Sequence, residues 1–300
     1  MPEERSSAAQ TPMDNLERGP GARMRIAVTG HKGQLGRLVV ARLETEHEVA
    51  GFDVPEFELT DRGCINQLVA FRPDLVVHNA AMTDVDGCAR DPALAFRINA
   101  LGTQNVALAC QRAGAAMLYV STNEVFDGEK EAPYIEFDTP NPQNPYARSK
   151  FAGEWYVRHL LTRFYIVRTA WLYARGGGKF PDKVLELARR GAPLTGVIDE
   201  IGSPTYAPDL VEAMVQLVGT GHFGIYHLVN SGSCSRLEWM IKILQLADLP
   251  RPVKPVTMND YSRASVPPRN GALENFVAAT ALGIRLRPWQ DALQAFFADA

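Results

Sequence analysis

Tyr146-Ala147-Arg148-Ser149-Lys150 sets a phenol and an ammonium four residues apart. On a helix that spacing brings both side chains to one face, about 6 Å apart at Cβ. A phenol with an ordinary pKa of about 10 is a poor acid–base catalyst at neutral pH. A neighbouring ammonium favours the phenolate and draws the pKa toward the working range. Thr122 ends a short apolar run and offers a hydroxyl where ligands bind at the carboxyl edge of open parallel sheets; capping a turn is its other reading. Together the three could reduce a carbonyl. A nicotinamide would give hydride, Tyr146 the proton and Thr122 a hydrogen bond, while Lys150 tunes Tyr146 and holds the nicotinamide ribose. A Tyr-x-x-x-Lys pair also arises by chance on solvated helix faces, so its weight depends on what precedes it.

What precedes it is a glycine loop, Gly30-His31-Lys32-Gly33-Gln34-Leu35-Gly36, between an apolar run and a helical pattern. Glycines there let the backbone approach a pyrophosphate, and the helix start supplies partly positive N–H groups. The spacing is GxxGxxG, which a plain strand–turn–helix junction could also carry. Asp53 closes the next strand, where an acid would bind the adenosine ribose hydroxyls. Asp53 favours NADH, whereas Lys32 and Arg37 could offset its repulsion of a 2′-phosphate, so NADH or NADPH is the expected cofactor. Asp61 is read either as an adenine ligand or as a helix N-cap. Asn79-Ala80-Ala81 follows the third strand, its small residues leaving room for a cofactor or forming a tight turn.

The elements that must position these residues alternate. Strands are expected at Met24–Thr29, Glu48–Phe52, Leu75–His78, Met117–Val120 and Phe164–Arg168. Helices are expected at Gln34–Glu44, Arg62–Phe71 and, in one piece, Pro92–Ala113. The rigid Pro140–Pro145 loop then delivers the chain to a helix starting near Tyr146. This is the pattern of an α/β, Rossmann-type doubly wound parallel sheet. Residues 1–22 are expected to be a disordered extension and 23–175 the NAD(P)-binding domain. Residues 176–300 are expected to be mainly a smaller C-terminal substrate-binding lobe, with a late segment returning to the first domain. A helix at Leu210–Val218 and a strand at Ile225–Leu228 fall in that last region.

A net charge of −3 gives no reason to expect a nucleic-acid or membrane surface. No apolar run approaches the length of about 20 residues that spans a bilayer. The four cysteines, without CxxC spacing, read as buried residues of a reducing compartment, with the cytoplasm as the default. The six histidines lack ligand spacing, so no metal is expected.

Several stretches together identify a family: Gly33–Gly36, Asn79–Asp86, Ser121–Gly128, Asn144-Pro145-Tyr146 with Ser149-Lys150 and Gly153-Glu154, and Arg168–Tyr173. The most diagnostic is Asp199-Glu200-Ile201-Gly202-Ser203-Pro204-Thr205, close to a DQxGxPT pattern. From Met24 to the C-terminus the chain resembles the extended short-chain dehydrogenases/reductases, and among them the reductases of nucleotide-linked keto-sugars. The resemblance implies reduction of the C4 keto group of a dTDP-linked 6-deoxy-4-keto-hexose, usually yielding dTDP-L-rhamnose. It adds Thr83 to the cofactor site and Val85, Asn123, Glu124, Trp171 and Thr205 to the substrate site. Trp171 also reads as core, Glu124 as an exposed turn acid, and Arg168 as a phosphate ligand or a partner of Asp199.

Three departures from that family's pattern stand out. Asn123-Glu124 replaces an Asp-Tyr pair; against the TDE triad of the 4,6-dehydratases it keeps the base and lacks the acid, which disfavours elimination. Lys179 stands where asparagine is usual, and Gly271 where serine is usual. Two other readings stay open: a sugar-nucleotide epimerase or different 4-ketoreductase, and a non-catalytic NADP-binding subunit like the regulatory subunit of methionine adenosyltransferase. A homodimer is also open, but not through C-terminal acids and a divalent ion, because Phe296–Ala300 carries no acidic cluster.

Overall fold

The computed structural model describes residues 23–260 and 263–298. The expected disordered extension, residues 1–22, and the last two residues of the tail lie outside them. The first half alternates strand and helix: β1 (Arg25–Thr29), α1 (Gln34–Leu43), β2 (Glu48–Phe52), α2 (Gly63–Phe71) and β3 (Leu75–His78). It continues through α3 (Val85–Arg90), α4 (Pro92–Phe96), α5 (Thr103–Ala113), β4 (Ala116–Thr122), α6 (Pro145–Leu160) and β5 (Phe164–Thr169). The four-residue strand Leu75–His78 is buried throughout, as a parallel strand covered on both faces must be.

The expected single helix from Pro92 to Ala113 is instead three pieces. Arg97–Gly102 is π-helical and separates α4 from α5. The wide turn carries Asn99 inward, where it is fully buried. Its carboxamide accepts from the Met82 N–H at 2.8 Å and donates to Met82 O at 3.1 Å and Ser149 Oγ at 3.0 Å. Hydrophobic periodicity does not register such a bulge, which recurs at functional sites.

Beyond β5 come β6 (Leu172–Tyr173), α7 (Phe180–Arg189), β7 (Leu194–Val197), β8 (Ile201–Gly202), β9 (Thr205–Tyr206) and α8 (Ala207–Thr220). Then follow β10 (Gly224–His227), β11 (Cys234–Ser235), α9 (Arg236–Leu246), β12 (Val253–Val256), α10 (Phe276–Ala281) and α11 (Trp289–Ala298). The main sheet runs β2-β1-β3-β4-β5-β10, and every pairing in it is parallel. The chain moves outward from β1 to β2 and then crosses back to β3. That reversal opens a crevice at the carboxyl ends of β1 and β3. α8 and β10 belong with this sheet, since Leu210 and Leu217 share a core with Val28, Leu118 and Val167. A second core, with Leu68, Val106, Met117 and Ile166, covers the other face. The lobe has its own core, built on Tyr173, Trp239, Leu293 and Phe296.

One buried cluster fastens α6 to the sheet. Glu154 Oε1 accepts from Ser121 Oγ of β4 at 2.6 Å and from Arg168 Nε of β5 at 3.0 Å. Glu154 Oε2 accepts from Arg168 Nη2 at 2.7 Å. Arg168 is therefore not the partner of Asp199: its Nε and Nη2 are taken up by a carboxylate buried as deeply as itself, and its Nη1 has no partner among the described residues. Glu154→Ala would leave that guanidinium buried and uncompensated, so it should cost about 3–5 kcal/mol of stability in urea unfolding. A loss below about 1 kcal/mol would show that the cluster is dispensable.

Candidate active site

A cleft of about 910 Å³ lies at the carboxyl ends of β1 to β5, between the sheet and the lobe. The glycine loop forms its floor. Gly30 sits at φ +69°, and a Cβ there would approach the Ala80 N and Cα to 2.8 Å. A Cβ on Gly36 would collide with the Gly30 carbonyl. These two glycines are therefore required by the close packing of loop on strand end. Asp53 binds the loop: its Oδ2 accepts from the Lys32 N–H at 2.9 Å and its Oδ1 from the Val54 N–H at 2.9 Å. Lys32 Nζ is paired with Glu56 Oε2 at 3.0 Å, which offsets the cation expected to meet a 2′-phosphate.

Asn79 faces the cleft with both side-chain atoms buried and without a partner among the described residues. A buried carboxamide left open in this way suits a polar ligand that brings its own donors and acceptors. Together with the glycine floor and Asp53, it forms a donor set that fits a dinucleotide. Lys32, Gly33, Gln34, Leu35, Ala80, Ala81 and Thr83 line the same space. Asp61 does not. Its Oδ1 accepts from the Gly63 N–H at 2.8 Å, which spends the carboxylate on the start of α2.

Thr122, Tyr146 and Lys150 converge at the centre of the cleft. Asn144 caps α6 by accepting from the Ala147 N–H at 2.8 Å, and Pro145 opens the first turn. Lys150 is buried, donates to Val120 O at 2.8 Å and lies 4.2 Å from the Tyr119 ring centroid. Burial lowers its pKa to about 7, partly opposed by the charge of Glu154. Tyr146 moves the other way. Burial, and then the Glu124 carboxylate, hold its phenol well above the ordinary range, while a hydrogen bond with Thr122 pulls it down. Lys150 Nζ is turned to Val120 O and the Tyr119 ring.

The substrate-side residues divide. Val85, Asn123, Glu124 and Trp171 line the cleft, whereas Thr205 is fully buried outside it. The Thr205 hydroxyl donates to Ser203 O at 3.2 Å and its N–H donates to Trp171 O at 3.3 Å, so it supports Trp171 from behind. Glu124 is not a loose turn acid. Asn144 Nδ2 holds its Oε2 at 2.7 Å, and burial raises its pKa. Two of the departures meet in space: Asn123 Nδ2 donates to Gly271 O at 3.0 Å, and a Cβ at 271 would collide with that amide. Lys179 also lines the cleft, beside Phe180, Arg236 and Trp239.

Arg236, Trp239 and Thr169 of the cleft escape sequence reasoning. The Ser235–Glu238 capping box marks a helix start there, but nothing local says which way its first residue faces. Thr169 is paired in register with Thr122, and its hydroxyl has no partner among the described residues. Among the described residues no His/Cys/Asp/Glu group could hold a metal ion, and no helix is long and apolar enough to cross a membrane.

Comparison with known proteins matches residues 24–300 to the RmlD substrate binding domain. The chain is 35% identical over 277 residues to the spore coat polysaccharide biosynthesis protein SpsK of Bacillus subtilis, covering 92% of this chain and 97% of that one. It is 35% identical over 281 residues to the dTDP-4-dehydrorhamnose reductase of Mycobacterium tuberculosis, covering 91% and 92% of the two chains. Among solved structures, the dTDP-4-dehydrorhamnose reductase of Bacillus anthracis in complex with NADP superposes with a TM-score of 0.90 at 35% identity. That match covers 93% of this chain and 100% of the other.

The buried lysine has a consequence for stability. In the unfolded chain Lys150 keeps its proton to about pH 10.4, whereas in the fold it releases it near pH 7. Between those values the unfolded state binds more protons, so this group makes stability rise with pH from about 7 to about 10. Denaturation at a series of pH values should show that rise in the wild type and a flatter profile in Lys150→Met. Equal slopes in the two proteins would contradict a neutralised buried lysine.

Proposed function

Because the chain belongs to the family of the RmlD substrate binding domain, we propose that it reduces the C4 keto group of a dTDP-linked 6-deoxy-4-keto-hexose with NADH or NADPH. The names of its relatives point to dTDP-4-dehydrorhamnose as the substrate, with dTDP-L-rhamnose as product. The observation that carries this reading is the meeting of Thr122, Tyr146 and Lys150 in the cleft that also holds the glycine floor and the unpartnered Asn79. Residues 23–175 with α8 and β10 form the cofactor-binding body, and most of 176–300 forms the sugar-nucleotide lobe.

In this reading the glycine loop and the α1 N-terminus take the cofactor pyrophosphate, Asp53 the adenosine ribose, and Asn79, Ala80, Ala81 and Thr83 the inner part of the cofactor. When bound, the reduced nicotinamide supplies hydride to the carbonyl carbon. Tyr146 donates its proton to the oxygen that gains charge, and Thr122 donates a hydrogen bond to the same oxygen. The phenol holds that proton at neutral pH until the carbonyl oxygen gains charge. Lys150 holds the nicotinamide ribose. The four cysteines are buried and free, which fits a cytoplasmic setting.

Purified protein with NADPH or NADH should consume reduced cofactor stoichiometrically when given dTDP-4-keto-L-rhamnose, read at the reduced-nicotinamide absorbance band. Cofactor that binds without net consumption would instead indicate an epimerase or a binding subunit. Tyr146→Phe should lower kcat by about 10²–10⁴-fold and leave cofactor affinity within a few-fold; near-normal turnover would remove Tyr146 as the proton donor. Asp53→Ala should raise the preference for NADPH over NADH, and an unchanged ratio would place Asp53 away from the ribose.

A further inference from the structure

The cleft must hold two diphosphates if it takes both a dinucleotide and a nucleotide-sugar, and the glycine floor accounts for one. Across from it, the lobe presents a second cationic wall. The Arg236 guanidinium lies 3.5 Å from the Trp171 ring centroid, with Phe180 at 5.2 Å and Trp239 at 5.7 Å. Its Nε and Nη2 both donate to Glu200 Oε1, at 2.9 and 2.8 Å, and its backbone N–H donates to Glu200 O at 3.2 Å. Glu200 itself is buried. No hydrogen bond among the described residues uses Arg236 Nη1, and Lys179 lines the cleft beside it.

We propose that Arg236, held flat on Trp171 by Glu200, anchors the diphosphate of the substrate's nucleotide, with Lys179 as the second cation. The inference rests on the reading of the chain as a nucleotide-sugar reductase. A planar guanidinium meets phosphate oxygens with paired donors, which a lysine cannot reproduce. Here the stacking fixes the plane of the fork and Glu200 fixes its rotation within that plane, so little freedom is lost when an anion arrives. The diphosphate is the charged part of the proposed substrate, since its keto-sugar is neutral. Glu200 stands where the DQxGxPT pattern has an amide, and the charge it adds balances Arg236 before substrate binds. Trp171 takes a φ of +42°, uncommon for a bulky side chain, with Arg236 over its ring and Trp239 stacked beside it.

The test is equilibrium binding of dTDP and thymidine to the full chain, followed by tryptophan fluorescence, with NADPH titrated separately. Arg236→Gln should weaken dTDP by about 10–100-fold, the worth of hydrogen bonds to a charged group, leaving thymidine and NADPH within two-fold. Arg236→Lys should restore only part of the loss, and Lys179→Gln should weaken dTDP several-fold on an unaltered fold. Unchanged dTDP affinity in Arg236→Gln, an equal loss for thymidine, or a loss confined to NADPH would each overturn the assignment. Arg236-dependent binding of a nucleoside diphosphate without reduction of any dTDP-keto-sugar would uphold the anchor and reject the reductase reading.

Discussion

The Glu154 carboxylate, buried against the carboxyl ends of β4 and β5, fixes the geometry on which the cleft depends. It takes hydrogen bonds from Ser121 on β4 and Arg168 on β5 while riding on α6. Because side chains alternate along a strand, the residues that follow, Thr122 and Thr169, point to the opposite face and into the cleft. Lys150 lies one helical turn before Glu154 on the same helix, and Tyr146 one turn before Lys150. A single buried cluster thus sets the helix carrying Tyr146 and Lys150 against the strand ends carrying the Thr122 and Thr169 hydroxyls. Asn99, delivered by the π-helical turn, performs the parallel task of joining the Met82 loop to Ser149 of α6.

Charge in the cleft is arranged by position. Lys32 and Arg236 are each paired with a carboxylate at the two outer walls, and the centre holds a buried lysine and a phenol that burial keeps protonated. Glu124, tied to Asn144 two residues before Tyr146, strengthens that hold on the phenolic proton.

Much of this was legible in the sequence, because the relevant signals are local. Short apolar runs, glycines at a strand end, and a Tyr–Lys pair after a proline-capped helix start each act over a few residues, and the parallel sheet followed from their alternation. What escaped was set by contacts distant along the chain. Arg168 reads as a phosphate ligand or a partner of Asp199 until Glu154 is seen to claim it. Thr205 sits in an informative motif yet spends its polar atoms on Ser203 O and Trp171 O. The meeting of Asn123 with Gly271, and of Arg236 with Trp171 and Glu200, joins segments between 36 and 148 residues apart. Periodicity carries no record of such pairs, nor of a π-turn that keeps the amphipathic pattern of an ordinary helix.

The central claim is that this cleft passes a hydride from a nicotinamide to a sugar carbonyl while Tyr146 supplies the proton. It is tested most directly by following deuterium from nicotinamide C4-labelled NADPH or NADH into the product formed from dTDP-4-keto-L-rhamnose. The account predicts one deuterium at C4 of the sugar, detected by nuclear magnetic resonance, with one oxidised cofactor per sugar reduced. Label retained on the cofactor, or lost to solvent without appearing at C4, would contradict it.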